Sequence, residues 1–263
     1  MTSNRHRFND IAIPVVVFAL ALLGWEALVD VKHIPPYVLP PPSLILVTLF
    51  NDWGTLSRSL LVTLSITLEA LVSATLGGVA LAILFAQWRI VERAFVPFAV
   101  VMQVTPIVAI APLLLVYLSS GGAVLACSFL VAFFPILANT TLGLNSVDHN
   151  LADLFRLHRA SRLQQLLLLR LPSALPYFLG GLRIGGGLAL IGAIVAEIAA
   201  GSAGQGAGLA YRIVESGFRL NIPRMFAALL LISLTGISIY LALSALSHLL
   251  LRHWHDSARP RET

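Results

Sequence analysis

Two glutamates, Glu69 and Glu197, lie inside long apolar stretches of this 263-residue chain. An ionised carboxylate in hydrocarbon is unfavourable unless it is paired or faces water, so each is a candidate for lining a polar route or for a structural contact. Glu197 could pair with Arg212, and Glu69 could be protonated or hydrogen-bonded to Ser65 one turn earlier. The sequence leaves both interpretations open.

Uncharged polar residues beside helix-breaking prolines are further candidates for lining a pathway. A proline frees backbone carbonyls, and these are tolerated in a membrane only where protein or water satisfies them. Hydrogen bonding between helices is the alternative explanation for such residues. Together with Glu197, the predicted pathway or gate residues are Gln103, Thr105, Asn139 and Thr140.

Catalytic and metal-binding patterns are missing from the sequence. The one close histidine pair, His253-x-His255, offers too few ligands for a metal site, and no His-Glu-x-x-His helix occurs. The serine of residues 201–204 is in the wrong place for a rhomboid-type protease. The only lysine, Lys32, follows no glycine-rich loop, so the chain cannot be its own P-loop ATPase. We expect no catalytic residue, metal or bound cofactor here.

The pattern of residues 145–171 predicts binding to a membrane surface or to a partner rather than catalysis. Asn150 is a plausible N-cap with Asp153 three residues later, which predicts a short helix. Such an amphipathic helix lies on the membrane surface or inserts into a groove of a partner, and the periodicity leaves both open. Its charged positions are Asp153, Arg156, Arg159 and Arg162, and its apolar positions are Leu151, Leu154, Phe155 and His158.

These residues must be positioned by membrane helices, because 58% of the chain is hydrophobic and only 11% is charged. An ordinary soluble domain has about 25% charged residues, so a soluble enzyme is excluded. The net charge of +5 is spread through short gaps rather than over one face, which argues against nucleic-acid binding. A single cysteine excludes an internal disulfide.

Six stretches are long and apolar enough to cross a bilayer, which takes about 20 residues. Most loop arginines lie on the side of the N-terminus, so both termini are predicted to be cytoplasmic. The fold class is therefore an all-α integral membrane protein. Between crossings one and two we expect a proline-rich spacer and a short interfacial helix, residues 43–53. The crossings are residues 11–29, 60–87, 94–118, 121–144, 179–200 and 225–251.

Residues 153–161 read Asp-Leu-Phe-Arg-Leu-His-Arg-Ala-Ser, and Leu-Pro pairs follow at 171–172 and 175–176. This order resembles the coupling signature of permease subunits of ATP-binding-cassette (ABC) importers, in which E-A-A, three residues and G-A-S precede a distant L-P. Other segments resemble the branch that transports taurine, alkanesulfonates, nitrate and pyrimidine precursors. They are residues 111–115, 133–140, 181–184, 195–198 and 206–209, and the likeness covers roughly residues 59–230.

The chain departs from that signature at several positions. Leu154 and Phe155 replace the two alanines, Asp153 replaces the usual acidic residue, and Arg159 stands where the family has glycine. A left-handed backbone, which glycine permits, costs a residue with a Cβ about 1 kcal/mol. Either the turn is remodelled, or the protomer docks its ATPase differently, as one half of a heterodimer.

The resemblance implies a permease that forms half of a translocation pathway and is driven by ATP hydrolysis in a separate subunit. Expected partners are cytoplasmic ABC ATPase subunits holding ATP and Mg, an extracytoplasmic solute-binding protein, and a second permease protomer, identical or different. The implied location is the bacterial inner membrane, and the cargo is a sulfonate, nitrate, or pyrimidine or vitamin precursor. The implied coupling residues are Asp153, Leu154, Phe155, Arg156, His158, Arg159, Ala160 and Ser161.

Two other function classes remain as alternatives: a secondary transporter driven by an ion gradient, and an intramembrane enzyme. We divide the chain into residues 1–58 (first helix and spacer), 59–251 (a core of five helices) and 252–263 (a cytoplasmic tail). Within the core, Gly181 and Gly185 form a small-xxx-small pair, which predicts close helix packing.

Overall fold

A computed structural model of the chain describes residues 2–201 and 206–252, with side chains from Ala12 onward. The histidine pair at 253 and 255 and the tail from residue 253 lie outside the described residues. All regular secondary structure in the described part is helical, and it includes a π-helical turn at Leu166–Arg170. The helices are α1 (Thr2–Val31), α2 (Pro42–Asn51), α3 (Trp53–Gln87), α4 (Arg89–Val104), α5 (Ile107–Tyr117), α6 (Ser120–Asn145), α7 (His149–Leu157), α8 (Arg162–Gln165), α9 (Leu171–Ala200), α10 (Leu209–Phe218) and α11 (Ile222–Leu251).

Five helices, α1, α3, α6, α9 and α11, are long and apolar enough to span a membrane. They confirm five of the six predicted crossings, although α3 begins at Trp53, so the predicted core boundary at residue 59 falls inside a helix. Helix α9 likewise begins before the predicted residue 179, and with α8 and the π-turn it forms a helical segment of 39 residues from Arg162.

The predicted third crossing, residues 94–118, is not one helix. It is a pair, α4 and α5, bent by 99° at Thr105 and Pro106. Pro106 has no N–H to continue the helix, and its ring holds Thr105 in an extended conformation (φ −70°, ψ 125°). By length and composition, the described residues therefore contain five candidate spans, or six if the bent pair crosses as one broken span.

Helices α6 and α9 form the largest interface of the bundle, and α3 packs against both. Small residues let the backbones approach: a Cβ on Gly181 would lie 2.8 Å from the Cβ of Asn139, and one on Gly185 would lie 3.0 Å from the side chain of Ile136. Contacts of this kind are the main attraction between helices in lipid. Both glycines predicted for packing lie at this interface.

Helix α2 packs Ile45 and Leu49 into an apolar cluster with α10 and α11. Its N-terminus is tied to α1, because the backbone N–H of Ser43 donates to the carboxylate of Glu26 at 3.0 Å. The short helix expected at residues 43–53 is thus confirmed, ending at Asn51. The 30 residues of α9 span about 45 Å, so α7 and α10, at its two ends, lie at opposite ends of the bundle.

Candidate coupling helix and translocation wall

Helix α7 contains four of the eight predicted coupling residues, Asp153 to Arg156, and the other four follow directly after it. The predicted N-cap, Asn150, is wrong: the cap is Asp148, whose carboxylate accepts hydrogen bonds from the backbone N–H groups of Asn150 (2.7 Å) and Leu151 (3.3 Å). Asp153 pairs instead with Arg156 at 3.1 Å. Both side chains are more than half exposed, so this pair contributes little stability.

The end of α7 answers the question raised by Arg159. The N–H of Arg159 donates to the carbonyl of Arg156 (2.9 Å) and that of Ala160 donates to Phe155 (3.0 Å), which is the Schellman pattern. Arg159 occupies the left-handed position at φ 52°. The turn is therefore kept, with an arginine in the conformation that glycine adopts without strain.

The next two residues start the following helix. Ser161 caps α8 through a reciprocal capping box with Gln164, and the carbonyl of Ala160 accepts a hydrogen bond from the side chain of Gln165 at 3.0 Å. Residues 159–161 thus form a defined turn that joins α7 rigidly to the segment leading into α9.

An apolar surface lies between α7 and α8. Leu154, Phe155 and His158, all on the predicted apolar face, line a shallow cavity of about 340 Å³ together with Ala160. Leu154 is 47% exposed and α7 has no buried residue. Nothing in the described chain covers this surface, so it can receive a partner of complementary shape.

The break between α4 and α5 borders a second cavity, of about 290 Å³. Gln103 and Thr105, two predicted pathway residues, line it beside Phe134 and Pro135 of α6. Irregular backbone at membrane depth requires a protein or aqueous environment of this kind. Gln103 also lines a smaller neighbouring cavity of about 150 Å³.

The other uncharged pathway candidates lie in packed helix surfaces. Thr140 is 2% exposed and donates to the carbonyl of Ile136 (2.6 Å) within its own helix. Asn139 donates to Pro135 (2.8 Å) and lies against Gly181 of α9. The structure places both in helix contacts rather than beside the cavity at the break.

Glu197, 4% exposed near the end of α9, forms no ion pair with Arg212, which pairs with Glu215 instead. One carboxylate oxygen accepts from the hydroxyl of Thr63 (2.7 Å), and the other accepts from the N–H of Ala210 (3.0 Å). The Thr63 hydroxyl in turn accepts from the N–H of Leu209 (2.9 Å). The carboxylate therefore holds the positive N-terminal end of α10 against α3 and α9.

Arg212 belongs to a separate network on α10. It donates to Ser59 (2.9 Å) and to Glu215 (2.8 Å), and Glu215 also pairs with Arg219 (2.9 Å). The hydrogen bond from Arg212, together with the positive charges of Arg212, Arg219 and Arg224, lowers the pKa of Glu215 despite partial burial, which opposes the shift.

Glu69 lies on the exposed face of α3. Its expected hydrogen bond with Ser65 is not formed, because the Ser65 hydroxyl donates to the carbonyl of Val62 at 3.0 Å. Glu69 and Glu197, both carboxylates inside predicted crossings, thus have opposite environments.

The sequence argument missed the partners of these charges. Ser59, Thr63 and Thr67 recur every fourth residue and are all buried on α3, a pattern that signals a polar helix contact. Gly208 is required for close approach, since a Cβ there would overlap the Glu197 carboxylate. Arg183, within α9, has its guanidinium 5.9 Å from the ring of Tyr240 of α11, a cation–π contact.

Comparison with known proteins identifies the chain. Residues 74–256 match the family model of the binding-protein-dependent transport system inner membrane component. A riboflavin transport system permease protein of Chloroflexus aurantiacus is 33% identical over 96% of this chain and 93% of its own length. A formylaminopyrimidine transport permease protein of Halalkalibacterium halodurans is 34% identical over 90% and 94%. A probable ABC transporter permease protein of Haemophilus influenzae is 32% identical over 89% and 95%.

The expected resemblance to ABC importer permeases is confirmed, and with it a transport role rather than an enzymatic one. Membership of this family implies that the chain works with an ATPase subunit and a solute-binding protein. It also implies a multi-pass location in the inner membrane, in agreement with the apolar helices. The chain belongs to the binding-protein-dependent inner-membrane permeases of ABC importers.

Proposed function

We propose that this chain is one of two permease protomers in an importer of a small heterocyclic vitamin or vitamin precursor, and that α7 is the helix on which the ATPase acts. The observation that carries the proposal is the exposed apolar surface of α7, where Leu154, Phe155 and His158 surround an open cavity. A short amphipathic helix entering a groove is a common mode of recognition. ATP and Mg would be held by the ATPase subunit, not by this chain.

The proposed orientation places the α7 end of the bundle in the cytoplasm. Arg89, Arg93, Arg156, Arg159 and Arg162 lie at this end, and basic loops are retained on the cytoplasmic side. The opposite end, with α2 and α10, would then face the solute-binding protein. Movement of α7 by the ATPase would bias the bundle between inward-open and outward-open arrangements.

The residues that line the cavity at the α4–α5 break form the proposed wall of the translocation pathway. Gln103 and Thr105 supply its polar groups, and no charged side chain is among the described residues that line it. Such a surface suits a neutral heterocycle with hydrogen-bonding edges better than a small inorganic anion. The names of the relatives from Chloroflexus and Halalkalibacterium support the same substrate class.

Cross-linking tests the coupling role. Leu154→Cys or Phe155→Cys, on a Cys127→Ala background, should form a cross-link with the ATPase subunit in membranes. Leu163→Cys is the matched control, because Leu163 is 61% exposed at the same end of the bundle but does not line the α7 cavity. Equal cross-linking from the control, or none from either α7 position in folded protein, would contradict the proposal.

Transport assays test the route and the cargo. In proteoliposomes containing the whole transporter, Gln103→Leu should lower uptake of radiolabelled formylaminopyrimidine or riboflavin several-fold while ATPase association is unchanged. Met102→Leu, a change at a neighbouring residue of the same cavity, should retain uptake. Uptake of nitrate or taurine, with neither heterocycle carried, would contradict the proposed substrate class.

A further inference from the structure

A large cavity lies at the α7 end of the bundle, and of the residues that line it only Arg156 is among the predicted coupling residues. Its volume is about 690 Å³, and it is enclosed by α4, the end of α6, α7 and the start of the segment leading into α9. Glu92 is the one acidic side chain among the described residues that line it. The arginines on its wall come from three different elements and are Arg89, Arg93, Arg156 and Arg170, and His149 of α7 also lines it.

The positive charge of this cavity is largely uncompensated. Arg170 is half-buried and donates to the carbonyl of Ala86 (2.8 Å), a contact that orients the guanidinium without neutralising it. Among the described residues, the one ion-pair partner of Arg156 is the exposed Asp153. In the described part of the chain, no carboxylate lies within ion-pair distance of Arg89 or Arg93.

Guanidinium groups converging from several directions suit a phosphate group, because each can donate two parallel hydrogen bonds to its oxygens. The side-chain amides of Asn145 and Gln165 on the same wall add neutral hydrogen-bonding groups. A general excess of arginine at this end of the spans is expected for a membrane protein. It does not require arginines of separate elements to line one cavity.

We propose that this cavity binds a phosphate-bearing anion, either the headgroup of an anionic lipid or a soluble phosphate compound. The bound anion joins the N-terminal part of α4 to α7. No residue of α4 is buried in the bundle, so this helix gains an attachment that its own packing does not supply. Basic pockets between membrane helices are known to bind phosphorylated lipid headgroups.

Binding is measured on the full chain in nanodiscs, with no substrate or ATPase needed, so the result is independent of the proposed transport function. One arm compares dioleoylphosphatidylcholine discs with discs that also contain dioleoylphosphatidylglycerol. The other arm titrates inorganic phosphate into phosphatidylcholine discs. At least one arm should raise the thermal unfolding midpoint, and the arm that responds identifies the source of the phosphate.

The variant R89Q/R93Q should weaken the apparent affinity by about tenfold or more, since two charge-assisted contacts are lost. The matched control R58Q/R162Q removes the same charge outside the cavity and should stay within about twofold of the wild-type chain. An absence of response in the wild-type chain, or an equal loss in both variants, would overturn the proposal.

A second measurement keeps all four arginines and applies even if R89Q/R93Q fails to fold. Val147 lines the cavity, so Val147→Cys on the Cys127→Ala background should be protected from a water-soluble maleimide by the responding probe. If neither probe protects this cysteine and the ATPase subunit does, the cavity is a protein-docking surface and the proposal is wrong.

Discussion

Helices α7 and α10 are similar in form and opposite in their attachment to the bundle. Both are short, and each ends in a Schellman turn whose left-handed residue carries a Cβ, Arg159 in α7 and Leu220 in α10. Helix α10 is fixed to α3 and α9 by buried polar contacts of Glu197, whereas α7 has no buried residue. The bundle itself fixes one helix, and the other is left for a partner to hold.

The largest effect on this difference between α7 and α10 is expected from removing the Glu197 carboxylate, which holds α10. Glu197→Ala leaves the Thr63 hydroxyl and the N–H of Ala210 buried without their acceptor, and we expect a loss of about 3 kcal/mol in unfolding free energy. Thermal or denaturant unfolding in detergent measures it. Glu69→Ala is the control: it removes a carboxylate from the exposed face of a spanning helix, where a charge is unfavourable, and should not lower stability. Equal effects would mean that α10 is held by other contacts.

A smaller loss is expected from Thr63→Val, which keeps the shape of the side chain but removes the hydroxyl between Glu197 and Leu209. We expect a loss of about 1.5 kcal/mol in the same unfolding assay. Thr75→Val is the matched control on α3, because the Thr75 hydroxyl bonds only within its own helix, to the carbonyl of Leu71. In a Glu197→Ala background, Thr63→Val should lower the unfolding free energy much less than it does in the wild-type chain, because the two side chains act as a unit.

At α7 the expected change has the opposite sign. Arg159→Gly removes the strain of a Cβ in a left-handed turn and should stabilise that turn by up to about 1 kcal/mol. Amide hydrogen exchange at Leu157 to Ala160 should slow, with ATPase-coupled uptake retained. Faster exchange in the glycine variant would show that the arginine side chain contributes more than its strain costs.

The smallest expected effect is the response of the α10 network to acid. Because the pKa of Glu215 is lowered in the folded chain, its contribution is fully present above the unfolded value of about 4.3 and is lost as pH falls through the folded value. Stability of the wild-type chain should therefore decline more steeply in this acidic window than that of Glu215→Gln. Parallel pH profiles of the two proteins would show that the Glu215 carboxylate does not contribute to the contacts that fix α10.

Local sequence patterns predicted five of the membrane helices and the short helix that follows the proline-rich spacer. They failed where two local signals compete: Asp148 and Asn150 are both good cap residues, and the earlier one caps the helix. They also failed to show which proline breaks the third crossing, because Pro97 and Pro112 remain inside helices while Pro106 does not. Only the surrounding packing decides that outcome.

The partner of Glu197 could not be predicted, because Thr63 lies 134 residues away along the chain. Arg212 is nearer in sequence and opposite in charge, which made it the obvious candidate. It is bound instead by Glu215, three residues further along its own helix. Arg212 pairs within its own helix, and the packing of α3 against α9 gives Glu197 the uncharged Thr63 as its partner.

The unbroken helical path from Arg162 to Ala200 has a consequence for how the two faces of the membrane communicate. It begins directly after the turn that ends α7, and near its far end it carries the carboxylate that holds α10. A displacement of α7 at one surface would therefore reach the other along one continuous helical segment, whose 39 residues correspond to about 58 Å of helix, without crossing a loop. Opening of the pathway on one side of the membrane and its closing on the other would then result from one displacement of this segment.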